Sequence, residues 1–172
     1  LLTPANNRYV FGSPALADFD GDLDLEVVFN TLQKVEPPAV PEGWVYAVDG
    51  DASNLAGWPK RPNTPATCDT QVHYGTESSP VIADLDGDGD LEIALNSNWE
   101  VVVWTAAGVQ LSRDTSCINA DPADWVLLTA WPVGAIGVAD FDGDGAAELV
   151  ASGLTPSPST AGLLSAWDFG AA

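Results

Sequence analysis

The sequence predicts an all-β protein made of three repeats of a four-stranded, antiparallel, propeller-type blade. Three observations carry this expectation. Apolar runs are short and bounded by turn residues, and no 3.6-residue apolar period persists for three turns. A nine-residue acidic pattern occurs three times, and strand-like segments flank every copy, which marks a structural repeat.

The chain has 172 residues, with 25 Asp+Glu against five Lys+Arg, for a formal charge of −20. Fourteen of the 25 acidic residues fall in the three windows, so the charge is concentrated and not spread. Five scattered basic residues cannot neutralise a row of phosphates, which excludes nucleic acid and anionic membrane surfaces as partners. With 46% apolar residues and seven Trp, the chain has material for a packed core and does not read as a disordered acidic tail. No apolar run approaches the ~18 residues of a membrane span, so no membrane insertion is expected. Two Cys, no Met and two Lys fit a secreted or cell-surface protein, and the opening Leu1-Leu2-Thr3 reads as a mature or cut end.

Residues 1–12 hold a strand-like segment, Asn7 to Phe11, that precedes the first unit and is free to complete another blade. Blade 1 spans 13–59: Ser13 to Ala17, an acidic loop, Leu25 to Phe29, Trp44 to Val48, and an outer strand from Leu55 to the Trp58-Pro59 pair. Proline suits an outer edge because it has no N–H to donate to a ladder. Residues 60–78 form a polar insertion. Blade 2 spans 79–132, with Ser79 to Ala83, Leu91 to Leu95, Val101 to Trp104 and an outer strand Leu128 to Pro132, interrupted by an insertion at 112–124. Blade 3 spans 133–172, with Gly134 to Ala139, Glu148 to Ala151 and Leu163 to Trp167, and stops before an outer strand.

The windows run Asp18, Asp20, Gly21, Asp22, Asp24, Glu26; then Asp84, Asp86, Gly87, Asp88, Asp90, Glu92; then Asp140, Asp142, Gly143, Asp144, Ala146, Glu148. Carboxylates at alternate positions one, three and five, with Gly at four, wrap a chain around a hard cation. Calcium takes six to eight oxygens at ~2.3–2.6 Å, whereas magnesium keeps more water, and zinc or copper would want His or Cys. Ala146 at position seven fits a site where the main-chain carbonyl is the ligand. An EF-hand needs Gly at six, Glu at twelve and flanking helices. Here position six is Leu23 in the first loop, position twelve is Phe29, Leu95 or Ala151, and the flanks are strands. Three Ca2+ sites are expected.

With these residues in view, the pattern of strand, Asp-x-Asp-Gly-Asp-x-x-x-Glu and strand resembles the FG-GAP/VCBS repeat of integrin alpha-subunit heads and many bacterial secreted proteins. Phe11-Gly12 before Ser13-Pro14 matches the name-giving residues, and Tyr74-Gly75 before Ser79-Pro80 is a looser version. The third unit lacks that proline, and Leu23 stands where the family usually has Gly. The resemblance implies calcium-stabilised propeller blades, with the acidic residues named above as ligands.

The remaining candidate residues read more readily as packing or solvated positions than as sites. His73, the one histidine, has no recognisable nucleophile or orienting acid beside it. Glu42, Glu77, Glu100 and Asp121 could form a glycosidase pair, but no spacing selects them. Trp58, Trp104, Trp131 and Trp167 recur at blade positions and read as packing, which leaves Trp99 and Trp125 for an exposed role. Cys68 and Cys117 each fall in an insertion, and a disulfide between them is expected. The functional expectation is a non-catalytic extracellular adhesion or interaction module for a glycan or protein ligand. Two alternatives stand beside it. One is a structural subunit forming a homo-oligomeric ring or filament by strand exchange, and the other is the accessory domain of a secreted polysaccharide-degrading enzyme.

Overall fold

The computed structural model describes residues 8–10, 12–33, 43–61, 78–97, 100–112, 132–154 and 162–169. Every regular element among them is a β-strand. The first group comprises β1 (Arg8–Tyr9), β2 (Ala15–Ala17), β3 (Glu26–Gln33) and β4 (Trp44–Val48). The second comprises β5 (Val81–Ala83), β6 (Glu92–Ser97) and β7 (Glu100–Thr105), and the third β8 (Pro132–Ala139), β9 (Glu148–Leu154) and β10 (Gly162–Trp167). Each group is one antiparallel sheet with the strand that follows its acidic loop, β3, β6 or β9, in the centre.

The repeat is preserved to the residue in its register. Ala17 lies opposite Glu26, Ala83 opposite Glu92 and Ala139 opposite Glu148. Every acidic loop therefore closes the same hairpin, entered from an alanine and left at a glutamate that opens the central strand. Side chains alternate between the faces of a strand, so a fixed register presents equivalent residues to equivalent faces in all three sheets.

The sheets stack face to face through two cores. Val28, Val45, Ala47 and Trp58 of the first unit pack against Ile93, Leu95, Val102 and Trp104 of the second. The opposite face of the second sheet, Ala94, Val101 and Val103, packs against Ile136, Leu149 and Ala151 of the third. The second sheet is thus buried on both faces, and Val101, Val102, Val103 and Trp104 are all at most 1% exposed. A fully buried side chain of this kind contributes ~1.5–3 kcal/mol. By contrast β4, with one face inward, alternates half-buried and buried residues along its length.

Polar contacts lock the stack. The Trp58 indole donates Nε1–H to the Ala106 carbonyl at 2.8 Å and meets Trp104 edge-on, with ring centroids 5.9 Å apart. Ser13 N–H donates to Ser79 Oγ at 2.9 Å, and Ala147 N–H donates to the Asp84 carbonyl at 2.9 Å. The last bond ties the third acidic loop directly to the second.

The edges of the sheets differ from the expected outline. Among the described residues the second and third sheets hold three strands each, and the first holds four, with β1 and β2 along one edge of β3 and β4 along the other. Beside β4 the outer segment makes only the isolated bridges Val48 to Asn54 and Val45 to Lys60, because between them the chain leaves the ladder to dock Trp58 on the second sheet. Beside β7 the corresponding bridge is Trp104 to Gln110, at the end of a tight turn, and Pro132 instead opens β8 opposite Gly153. The boundary drawn after Pro132 therefore falls inside the third sheet, and residues 128–131 lie outside the described residues. Finally, Arg8–Tyr9 does not stand apart from the first unit. It pairs with Leu32 and Gln33 of β3, along the edge that β2 continues, and so belongs to its own sheet.

Candidate metal centres

Each acidic loop is held by its own carboxylates. In the first, Asp18 accepts Gly21 N–H on Oδ1 (2.6 Å) and Leu23 N–H on Oδ2 (3.1 Å). Asp20 accepts Asp22 N–H (3.2 Å), and Asp22 accepts Asp24 N–H (2.8 Å). The second loop repeats the set with Asp84 on Gly87 and Gly89, Asp86 on Asp88, and Asp88 on Asp90. The third does so with Asp140 on Gly143 and Gly145, Asp142 on Asp144, and Asp144 on Ala146. Such side-chain-to-backbone bonds coil the loop so that the odd-numbered carboxylates turn toward one another.

The coil demands left-handed backbone at positions four and six. Gly21, Gly87 and Gly143 have φ of 79°, 75° and 84°, and Gly89 and Gly145 have 95° and 102°. Leu23 occupies position six of the first loop with φ 78°, a conformation that crowds its Cβ. Its side chain is 88% exposed, so no packing compensates.

Position nine closes each loop from beneath. Glu26 accepts Phe19 N–H (2.6 Å), Glu92 accepts Leu85 N–H (3.0 Å) and Glu148 accepts Phe141 N–H. All three glutamates are buried, at 2%, 2% and 8% exposure. Glu148 uses only Oε2 in this way. Its Oε1 is buried and accepts no hydrogen bond.

The carboxylates converge. Asp140, Asp142, Asp144 and Glu148 offer oxygens all within 4.8 Å of one another, as do Asp18, Asp20 and Asp22, and Asp84, Asp86 and Glu92. Two oxygens on opposite sides of one ion with bonds of ~2.3–2.6 Å would stand about that far apart. Acidic clusters that can hold a metal ion are therefore present at all three expected loops. Asp24, Glu26, Asp88 and Asp90 stand outside these tight groups, and Ala146, 4% exposed, has only its carbonyl to offer.

Electrostatics in the second loop point the same way. Burial, reinforced by Asp86, Asp88 and Asp84, raises Glu92 to about 7 against the opposing hydrogen bond from Leu85 N–H. Asp86 is also raised, by burial and then by its neighbours Asp88 and Asp84. Without a cation Glu92 and Asp86 favour retained protons; a cation beside them would favour the ionised form.

No family model, curated protein or solved structure matches this chain.

The donors at Phe19, Leu85 and Phe141 are site components that side-chain reading overlooked. The signal for them was the constant Glu at position nine, opening a strand where half-burial would ordinarily favour an apolar residue. Trp58 and Trp104 are buried and Trp167 is half-buried, as packing positions should be. His73, Cys68, Cys117, Trp99, Trp125, Trp131, Glu42, Glu77 and Asp121 lie outside the described residues, and Glu100 is described only as backbone within β7.

Proposed function

We propose that this chain is a calcium-binding, non-catalytic interaction module of the FG-GAP/VCBS type, working outside the cell, with one Ca2+ in each acidic loop. The observation that carries the reading is Glu148 Oε1. A buried carboxylate oxygen without a donor costs more than ~1–3 kcal/mol, and an ion among Asp140, Asp142 and Asp144 would satisfy it. The donor set is all oxygen, which favours a hard cation, and carboxylates crowded within 4.8 Å of one another suit calcium, which takes six to eight oxygens, better than magnesium, which keeps several waters.

The role is structural. Carboxylates at positions one, three and five are tied to N–H groups of their own loops, and position nine is tied to the base of the hairpin. Bound calcium would supply the positive charge that lets these groups stay ionised and close together. Three divalent ions would bring the formal charge from −20 to −14. Affinities of ~10⁻⁴–10⁻³ M suffice for such modules where calcium is abundant, which is outside the cell. Native mass spectrometry of the calcium-loaded chain tests the reading. Three ions are expected, with one lost in each of Asp20→Ala, Asp86→Ala and Asp142→Ala. Binding of no ion, or no change of stoichiometry in any variant, refutes it.

A further inference from the structure

The second and third acidic loops are tied to each other by a direct contact. Ala147, the last residue before Glu148 in the third loop, donates its N–H at 2.9 Å to the carbonyl of Asp84, which opens the second loop. A Cβ placed on Gly87 would lie 3.5 Å from the Ala146 Cβ, so the two loops meet at van der Waals distance. We infer that these two loops bind calcium as a coupled pair, each raising the other's affinity through this junction, while the first loop fills on its own. The inference rests on the calcium reading above and adds to it how the sites depend on one another.

The junction joins parts that both sites need. The Asp84 carboxylate gathers with Asp86 and Glu92, while the carbonyl of the same residue holds Ala147. The Ala146–Ala147 peptide is trans, so its carbonyl points opposite to the N–H that Asp84 accepts, away from the second loop. That carbonyl is the position-seven ligand expected from the sequence. One rigid peptide plane thus has its N–H on the second loop and leaves its oxygen for an ion in the third, where the buried Glu148 Oε1 also lacks a donor. Packing reinforces the tie. Leu85, beside Asp84, is 1% exposed in the core between the second and third sheets, and Ala147 packs against the same core. An ion that fixes either loop in its coiled form therefore holds part of the other loop's frame, and the ordering entropy is lost once for both sites.

The first loop supplies the internal comparison. Leu91 N–H and the Asp18 carbonyl, which correspond to Ala147 and Asp84, form no hydrogen bond with each other. Around Gly21, the counterpart of Gly87, no described atom lies within 4 Å of a Cβ position. The first and second units are joined instead at Ser13 and Ser79, ahead of both loops. Charge acts in the opposite direction, because an ion in one loop lowers the negative potential at the next and weakens binding there. All three loops are acidic, so this effect acts in both neighbouring pairs. Salt screens it, whereas the tie between Ala147 and Asp84 persists.

Calorimetric calcium titrations of the full chain test this, run at about 0.5 M KCl, where the Debye length is roughly 4 Å. Asp20→Ala leaves the second and third loops able to bind, and adding Asp142→Ala or Asp86→Ala leaves the second or the third alone. The product of the two binding constants in Asp20→Ala is expected to exceed the product from the two single-loop variants by about three- to tenfold, the worth of one net backbone hydrogen bond. The matching cycle for the first and second loops, built on Asp142→Ala, is expected to give a factor no greater than about one. Ala147→Pro, which removes the N–H and keeps the Ala146 carbonyl, is expected to lower the factor in Asp20→Ala to that of the first pair. A factor of one or less for the second and third loops overturns the inference. So does an equal factor for the two pairs, or a factor unchanged by Ala147→Pro in protein that still binds both ions. If that variant fails to fold, the two cycles decide alone. Unmodified protein that binds three ions without coupling leaves the calcium reading intact, whereas protein that binds none ends both.

Discussion

Glu148→Gln changes one buried oxygen of the third loop into an amide nitrogen and should have opposite effects with and without calcium. In wild type, Oε2 holds Phe141 N–H, a role the Gln carbonyl oxygen can keep, while Oε1 has no protein donor. In chelator, Oε1 is a charge buried at 8% residue exposure beside Asp140, Asp142 and Asp144. Neutralising it exchanges a charged orphan for a neutral one, a gain of about 1 kcal/mol after the buried NH2 is counted. In calcium the same change removes an anionic ligand. If the ion's dissociation constant rises about a hundredfold, as much as ~2.7 kcal/mol of linked stability is lost. For a chain of this length 1 kcal/mol moves the midpoint by roughly 2–4 °C. Scanning calorimetry should therefore show Glu148→Gln melting a few degrees above wild type in chelator and, with the ~1 kcal/mol gain set against the ~2.7 kcal/mol loss, roughly 3–7 °C below it in saturating calcium. Equal destabilisation under both conditions would refute the reasoning and reduce Glu148 to a brace for the Phe141 amide.

Further outcomes follow from the same geometry. Leu23→Gly should raise stability by about 0.5–1 kcal/mol, because relief of a left-handed leucine exceeds the added unfolded-state entropy of glycine; a loss in urea midpoint would contradict this. Glu92, raised to about 7 from 4.5, is protonated in the calcium-free fold at pH values where the unfolded chain has already ionised it. The calcium-free protein should thus lose stability as pH rises from 4.5 to 7, and calcium binding near pH 6 should release a proton; Glu92→Gln should flatten both dependences. Leu85→Ala, at 1% exposure between the second and third sheets, should cost about 2–5 kcal/mol, whereas Phe141→Ala, at the same loop position but 68% exposed, should cost no more than about 0.5 kcal/mol by urea unfolding.

Much of this architecture was legible because the loops announce their own register. An Ala-Asp step ends the first strand, and the Glu nine positions into the loop begins the second, so the hairpins could be placed without any tertiary information. Trp44–Val48 was likewise readable as a strand, being a short apolar run that recurs after each acidic hairpin, although its alternation of half-buried and buried positions emerged only in the structure. The middle position of the second sheet left a signal that pattern reading did not use. Val101 to Trp104 is apolar without alternation, which is what burial on both faces requires. The outer edges were not legible. Trp-Pro pairs recur at 58–59 and 131–132, yet Pro59 lies beside its own sheet while Pro132 opens the next one. The bridge that takes the outer place beside β7 ends the turn through Gly108, where glycine satisfies a φ of 75°. Nor could local sequence bring Ala147 to Asp84. Their meeting depends on how one sheet stacks on the next.

The central claim is that the acidic loops bind calcium and that this binding stabilises the stacked sheets. The most direct measurement is the thermal midpoint of the unmodified chain in millimolar calcium and again in excess chelator, with magnesium as a control. The account predicts a midpoint lowered by at least about 8 °C in chelator, restored by calcium and little restored by magnesium, since each of three linked sites at about ten times its dissociation constant contributes ~1.4 kcal/mol. An unchanged midpoint in chelator, on protein first shown to be calcium-loaded, would contradict it.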